Sequence, residues 1–457
     1  VGVNGGEGIW RGSGMSAVAR VILEEKRYQV SGSDRNLSEV GRGLAALGAT
    51  VYDGHRPEQV HGADAVVISS AVPADNVEVQ EARALGIPVI KRAQLLAWLT
   101  ADHQVIAIAG THGKTTTTAM IVSLLVEAGL DPSFIVGGVV AALGCNARAG
   151  RGPHFVIEAD EYDRTFHALK PTLAVVTNVE MDHPDCYATY ADVQAAFATF
   201  AAAIVEGGCL IACNDDPGAR GLIHGLGPGR RIVSYGLSEG AQVRALGPGD
   251  EEAGQGFRWI VNGTERGLLE LCVPGQHNVR NALAALSVAN ELHIDDAAAL
   301  RTLKGYRGVA RRFELKGEVA GVTVIDDYAH HPTKIRATLA AARSRYGDRT
   351  LWAVFQPHTF SRTQALLDEY RQSFTDADHV LITPIYAARE RDDGSVSSAD
   401  VVRAACHPDM RLAPDLDAAA ATLARELRAG DVLLVMGAGD SNRVGESVLS
   451  ALQERVK

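Results

Sequence analysis

The chain has 457 residues, 46% of them hydrophobic and 22% charged, with a formal net charge of -11. That length points to about three domains, and that composition to a globular protein with several cores. An acidic balance without a local basic cluster excludes a nucleic-acid surface, no apolar run is long enough to span a membrane, and six scattered cysteines read as reduced thiols in a cytoplasmic protein.

Residues 1–98 alternate strand and helix: YQVSGSD, a helix over 37–47, then ATVYDG and AVVISSAV. The strand 28–33 ends at Asp34, where a doubly wound fold puts an acid near a ribose or base. Gly14, Met15 and Ser16 open a helix after a glycine-rich stretch, but Val3 lies too far upstream for a compact turn. Ser69, Ser70 and Ala71 end another strand, at the edge where ligands of open sheets bind. This unit is expected to bind a nucleotide-like ligand and to carry no chemistry.

Residues 99–310 hold the densest signal, QVIAIAGTHGKTTTTAM from Gln104. An apolar strand runs into Gly110, Thr111, His112 and Gly113, and Lys114, Thr115 and Thr116 begin a helix ending near Glu127. A glycine turn between strand and helix frees backbone N–H groups to cradle phosphates at the positive end of the helix dipole. Lys114 would neutralise the outer phosphates and the Thr115 hydroxyl would face Mg²⁺. Ile108 stands where the longer P-loop has its first glycine, so this is a shortened form. A strand at 154–157 then ends in Glu158-Ala159-Asp160-Glu161-Tyr162-Asp163, acids suited to a hard cation. Asp163 also fits a solvated turn. A strand at 173–177 closes on Asn178-Val179-Glu180-Met181-Asp182-His183, where His183 is a candidate ligand. Asn278 and Asn281 precede or open a helix at 282–292 and could meet an adenine edge. No lysine between Lys170 and Lys304 is available for carbamylation.

Residues 311–457 are expected to form a second doubly wound unit. Residues 308–314 read as a hinge that delivers an arginine, Arg312, towards the nucleotide, with its pivot near 305–310. A strand at 322–325 ends in Asp326-Asp327-Tyr328-Ala329-His330-His331-Pro332-Thr333, and Pro332 suits the first turn of a helix. Gln356-Pro357-His358 with Arg362, and Gly437-Ala438-Gly439-Asp440, end two further strands on the same edge.

GTHGKTT, EADExD, TNxExDH, GxHNxxNA, RRFE, DDYAHHPT and FQPHTFSR, in this order over nearly the whole chain, resemble the Mur ligases of peptidoglycan synthesis. The resemblance implies an α/β chain of three domains: a Rossmann-like substrate domain (1–98), a central P-loop ATPase-like domain with a mostly parallel sheet (99–310) and a Rossmann-like amino-acid domain (311–457). It implies an ATP-dependent, ADP-forming ligation of L-alanine to the lactyl carboxylate of UDP-N-acetylmuramate. It places Lys114, His183 and Arg312 in catalysis, and Thr115, Glu158 and His183 on Mg²⁺. His277, Asn278, Asn281, Arg312 and Asp326 fall with the P-loop on ATP. Tyr328, His330 and Arg362 fall on the amino acid, and Gly14 to Ser16, Asp34 and Ser69 to Ala71 on the UDP substrate. Tyr162, Gln276 and Thr359 depart from the residues most common in the family, and extra residues separate Val3 from Gly14. EADEYD is also the form of the ligase that recycles murein tripeptide, which stands as an alternative, as does an inactive nucleotide-binding regulator. A monomer or dimer is expected.

Overall fold

The computed structural model describes residues 2–4, 13–25, 28–34, 39–69, 72–227, 229–247, 256–388 and 390–456. They build three sheets in chain order. The first has five parallel strands, with Gly2–Asn4 in the middle, Ser31–Asp34 and Thr50–Asp53 to one side, Val66–Ile68 and Val89–Lys91 to the other. The order reverses beside Gly2–Asn4, which makes the crevice above that strand the ligand edge of a doubly wound sheet. The helix Ser13–Glu24 buries Met15, Val18, Val21 and Ile22 and packs on the strands Ser133–Val140 and Cys145–Arg148 of the second sheet.

The second sheet has ten strands. Gln104–Ala109 lies at its heart, parallel to His154–Glu158 on one side and Leu173–Val176 on the other. Val105 to Ala109 are buried, as a strand covered on both faces requires. Parallel strands Cys209–Cys213 and Arg231–Gly236 follow, and the far edges turn antiparallel at Cys145–Arg148 and at Phe257–Val261 with Thr264–Leu269. Helices Lys114–Glu127 and Gln276–Glu291 pack together on this sheet.

The third sheet runs Glu314–Val319, Val322–Asp327, Val432–Met436, Leu351–Phe355, His379–Ile382, Met410–Leu412, with only the first strand antiparallel. The strand expected to stop at 325 continues through both aspartates, because Asp326 and Asp327 pair with Val435 and Met436.

Three local expectations shift. The helix of 37–47 is Glu39–Ala46, and the strand of 28–33 is Ser31–Asp34. The expected hinge is not free: Ala141 N–H donates to Gly308 O at 3.2 Å and Ala310 N–H to Val139 O at 3.0 Å, pairing this segment with the central sheet's hairpin. The chain bends in the second half of the expected 308–314 stretch, where Arg311 and Phe313 carry φ of 60° and 50°. All six cysteines are free, with Cys209 and Cys213 buried. No helix among the described residues is long and apolar enough to cross a membrane.

Candidate active site

The phosphate loop is shaped by two glycines that nothing else could replace. Gly110 has a φ of 137°, and a Cβ there would sit 1.9 Å from Thr177 Oγ1. Gly113 caps the helix Lys114–Glu127 at φ 81°, and its Cβ would meet Asn281 Oδ1 at 2.6 Å. The neighbouring strand end fixes the loop between them. Asn178 Oδ1 accepts from His112 N–H at 2.8 Å, and Thr177 Oγ1 donates to His112 O at 2.6 Å.

Lys114 donates to Gly110 O at 2.6 Å and to both carboxylate oxygens of Glu161 at 2.7 and 2.9 Å. Burial opposes its charge, but Glu161, Asp160 and Glu158 outweigh it and hold its pKa above the ordinary lysine value. Thr115 Oγ1 donates to Glu158 Oε2 at 3.3 Å and accepts from Arg312 Nη2 at 3.1 Å. Burial raises the Glu158 pKa, against the Gly137 N–H, which donates to Glu158 Oε1, and the charges of Lys114 and Arg312. Lys114, Thr115, Glu158 and Arg312 therefore form one connected group at the helix N-terminus.

His183 stands beside it at φ 55°, with Nε2 3.9 Å from Glu161 Oε1 and Nδ1 3.3 Å from Arg362 Nη2. Arg362 is buried; its Nε donates to Asp182 Oδ1 at 2.9 Å and Nη1 approaches His358 Nδ1 at 3.1 Å. Burial works against the Asp182 charge, yet Arg362 and nearby His183 keep its carboxyl well below the usual range. Among the described residues each Nη of Arg362 has a single partner, which leaves one N–H on each for a carboxylate. His330 Nδ1 lies 2.9 Å from Tyr328 O, and burial with the Lys334 and Arg362 charges keeps the ring neutral. That contact makes Nδ1–H the donor and leaves Nε2 as a bare acceptor. The Tyr328 ring lies 5.0 Å from the Arg312 guanidinium and 5.1 Å from that of Arg311.

A cavity of about 310 Å³ opens between the loop, the helix Gln276–Glu291 and the helix Pro332–Tyr346. His112, Gly113, Thr115, Thr116, His277, Asn278, Asn281 and Arg312 line it, as the sequence suggests for a nucleotide, while Gly110, Thr111 and Lys114 of the same expected set lie outside the lining. His277 is brought down to about 4 by burial and by Arg280, so it is neutral. Asp326 does not line it: it turns the other way to meet Arg311 Nε at 3.1 Å, and Asp327 faces the cavity instead. Adjacent residues of a strand point to opposite faces, so only one of the two aspartates meets the cavity. Tyr328, His330 and Arg362 lie outside the cavity lining, in the buried cluster around Asp182. Asp163, at φ 51°, is a half-exposed turn residue 3.6 Å from Lys91 Nζ.

Sequence reasoning missed Glu161, Asp182 and Lys334, all inside motifs it had quoted or one residue beyond. It also missed the clasp made by His112 Nε2, 3.2 Å from Glu180 Oε2, with Thr333 Oγ1 donating to that same oxygen at 2.9 Å. His112, Glu180 and His331 have the spacing of a metal site. However, the Lys334 charge that helps depress both imidazoles would oppose a cation there too. On the first sheet, Asp34 is buried at a strand end, and Gly14 to Ser16 form the first turn of a helix with the Arg92 guanidinium 3.1 Å from a Cβ at Gly14. Ser69 follows the strand Val66–Ile68; Ser70 and Ala71 lie outside the described residues.

Three family models match in succession: Mur ligase family, catalytic domain, over 10–104; Mur ligase middle domain over 108–289; and Mur ligase, glutamate ligase domain, over 311–439. The chain belongs to the Mur ligase family. It is 45% identical over 446 residues to the UDP-N-acetylmuramate–L-alanine ligase of Salinibacter ruber, covering 97% of this chain and 93% of that protein. Among solved structures it resembles the UDP-N-acetylmuramate–alanine ligase of Thermotoga maritima, with a TM-score of 0.81 at 27% identity over 99% of both chains. It also resembles a murein peptide ligase of Psychrobacter arcticus, with a TM-score of 0.75 at 26% identity over 99% of this chain and 98% of that one. As a Mur ligase it carries the three α/β units that these matches share.

Proposed function

We propose that this Mur ligase joins L-alanine to the lactyl carboxylate of UDP-N-acetylmuramate, consuming ATP and releasing ADP and phosphate, in the cytoplasmic synthesis of peptidoglycan precursors. The observation that carries this reading is the seam where Lys114, Thr115 and Arg312 meet beside the Arg362–Asp182 pair, supported by the 45% identity to an L-alanine ligase. Residues 1–98 would hold the UDP substrate, 99–310 the nucleotide and 311–457 the amino acid.

The carboxylate attacks the γ-phosphorus, the bond to the β-bridging oxygen breaks, and ADP leaves with that electron pair. Lys114 and Arg312 would take the charge gathering on the phosphoryl oxygens, where preorganised cations act most strongly. Thr115, Glu158 and His183 offer a hydroxyl, a carboxylate and an imidazole, a set that fits a divalent cation, and Mg²⁺ there would supply charge neutralisation at the phosphates. The alanine amine, having lost a proton, then attacks the acyl carbon; the C–O bond to phosphate breaks, and a second proton leaves the nitrogen. Arg362 would orient the alanine carboxylate through its two spare N–H groups. Tyr328 and His330 would enclose the methyl side.

Phosphate release measured with ATP, Mg²⁺, UDP-N-acetylmuramate and each amino acid in turn tests the reading. L-alanine should give ADP and the UDP-muramoyl-alanine product. Ligation of free murein tripeptide with alanine ignored would replace it by the recycling activity. AMP and pyrophosphate would rule out the acyl-phosphate route, and no turnover despite nucleotide binding would leave a regulator.

A further inference from the structure

Lys334 is the third residue of the helix Pro332–Tyr346 and lines the nucleotide cavity together with Thr333, Ala337 and Thr338. Among the described residues it has no hydrogen bond or ion pair. The charged groups around its ammonium come from several elements. Lys114 stands on the phosphate loop, Arg312 at the bend between the second and third sheets, Arg362 after the strand Leu351–Phe355, and Asp182 after Leu173–Val176. Its charge in turn reaches His112, Asp182, Asp327, His330 and His331. Three other cations and two carboxylates therefore surround it, and both carboxylates are already engaged: Asp182 is bonded to Arg362, and Asp327 accepts the Phe313 and Ala329 N–H groups. A lysine placed so is short of an anion.

We propose that Lys334 is a further phosphate-binding residue of this site, its ammonium reaching the transferring phosphoryl group from the third sheet's side of the cavity while Lys114 holds it from the loop. The assignment rests on the ligase reading above for what is transferred, but the anion could be recognised without turnover. Burial, then the charges of Arg312, Lys114 and Arg362, bring the Lys334 pKa down to about 7, with Asp182 pulling the other way. An arriving phosphate reverses that balance and recharges the amine. Binding of nucleotide at pH 8 is therefore coupled to the uptake of a proton.

The test is calorimetry of a non-hydrolysable ATP analogue with Mg²⁺, on the full chain at pH 8, in two buffers of different ionisation enthalpy, beside steady-state kinetics. Wild type should take up close to one proton per nucleotide bound. Lys334→Met should lose that uptake and lower kcat about tenfold or more, with KM for alanine within twofold, and Lys334→Arg should recover most of the rate. Lys334→Met should melt no lower than wild type, since it removes a crowded cation. Proton uptake unchanged in the Met variant, kcat within twofold of wild type, or no binding of the analogue by wild type would each overturn the proposal. If wild type binds the analogue with proton uptake but never ligates alanine, the functional reading fails and the phosphate assignment stands.

Discussion

Lys114 has two tasks that a loop lysine read from sequence does not disclose. Its ammonium is expected to meet the γ-phosphate, yet here it neutralises Glu161, whose side chain is only 3% exposed. Removing one partner of a buried pair leaves the other charge without compensation. Lys114→Ala should accordingly lower kcat by about a hundredfold or more and also cost about 3 kcal/mol of stability. Adding Glu161→Gln should restore the stability and not the activity; denaturant melts and phosphate release on both variants separate the two effects, and an undiminished melt in the single variant would refute the structural half. Asp326 gives a pH signature. Burial and the adjacent Asp327 push it up to about 6, against Arg311. A carboxyl raised in the folded state contributes stability that is full below about pH 4 and is lost as pH rises through about 6. Asp326→Asn has no such loss, so its stability relative to wild type should improve by up to roughly 3 kcal/mol between pH 4 and 7. A gap between the two denaturation midpoints that stays constant over that range would show that Asp326 titrates normally.

At the level of elements, strand ends do the positioning. Gly137, in the strand Ser133–Val140, donates its N–H to Glu158, and a Cβ there would come within 2.8 Å of both Glu158 carboxylate oxygens. The obstructed atoms end a flexible side chain, so Gly137→Ala should fold and displace the carboxylate. The Mg²⁺ concentration giving half-maximal rate should rise about tenfold, within the range that disturbed ligand positioning causes; an unchanged magnesium dependence would remove Glu158 from the metal account. The same elements explain what the sequence could disclose. The strand Gln104–Ala109, its glycine turn and the helix Lys114–Glu127 are contiguous, and local signals suffice for them. Glycine spacing, a cationic residue and a hydroxyl announce phosphate binding without any tertiary knowledge. The Lys114–Glu161 pair, the Thr333–Glu180 bond and the choice between Asp326 and Asp327 depend on which strand lies beside which, and on which face a side chain takes. Periodicity cannot supply that in a strand buried on both faces, where every position is apolar or satisfied alike. The pairing of the 305–310 pivot escapes the sequence for a related reason: glycines at 305 and 308 signal flexibility locally, but Gly308 and Ala310 are bonded to a hairpin some 170 residues earlier in the chain.

At the scale of the whole molecule, the second and third sheets meet through a seam of long-range polar contacts. Arg312 reaches Thr115, Thr333 reaches Glu180, and Arg362 reaches Asp182 and His183. Of these the Arg362–Asp182 pair is the most enclosed, with side chains 8% and 4% exposed. It joins a loop after the strand Leu173–Val176 to the helix Phe360–Ala365, which lies on the other sheet. In the proposed reaction nucleotide would enter between these two bodies and the acyl phosphate would need shielding from water while alanine attacks, so the seam would open and close in each turnover. Without ligand, the buried pair favours the closed arrangement. Breaking it at Asp182 leaves a guanidinium with no carboxylate and removes that preference, by about 3 kcal/mol or more. Asp182→Ala, or Asp182→Asn where the alanine variant folds poorly, should therefore show a larger radius of gyration than wild type in small-angle scattering without ligand. Addition of an ATP analogue with UDP-N-acetylmuramate should draw the variant back towards the wild-type value, since Arg312 and Lys334 in their proposed roles would then gain phosphate contacts across the same gap. Wild type itself should change little. Identical ligand-free radii for wild type and both variants, in proteins with intact melts, would mean that the paired Gly308–Ala310 segment and not the Arg362–Asp182 bridge holds the two sheets together.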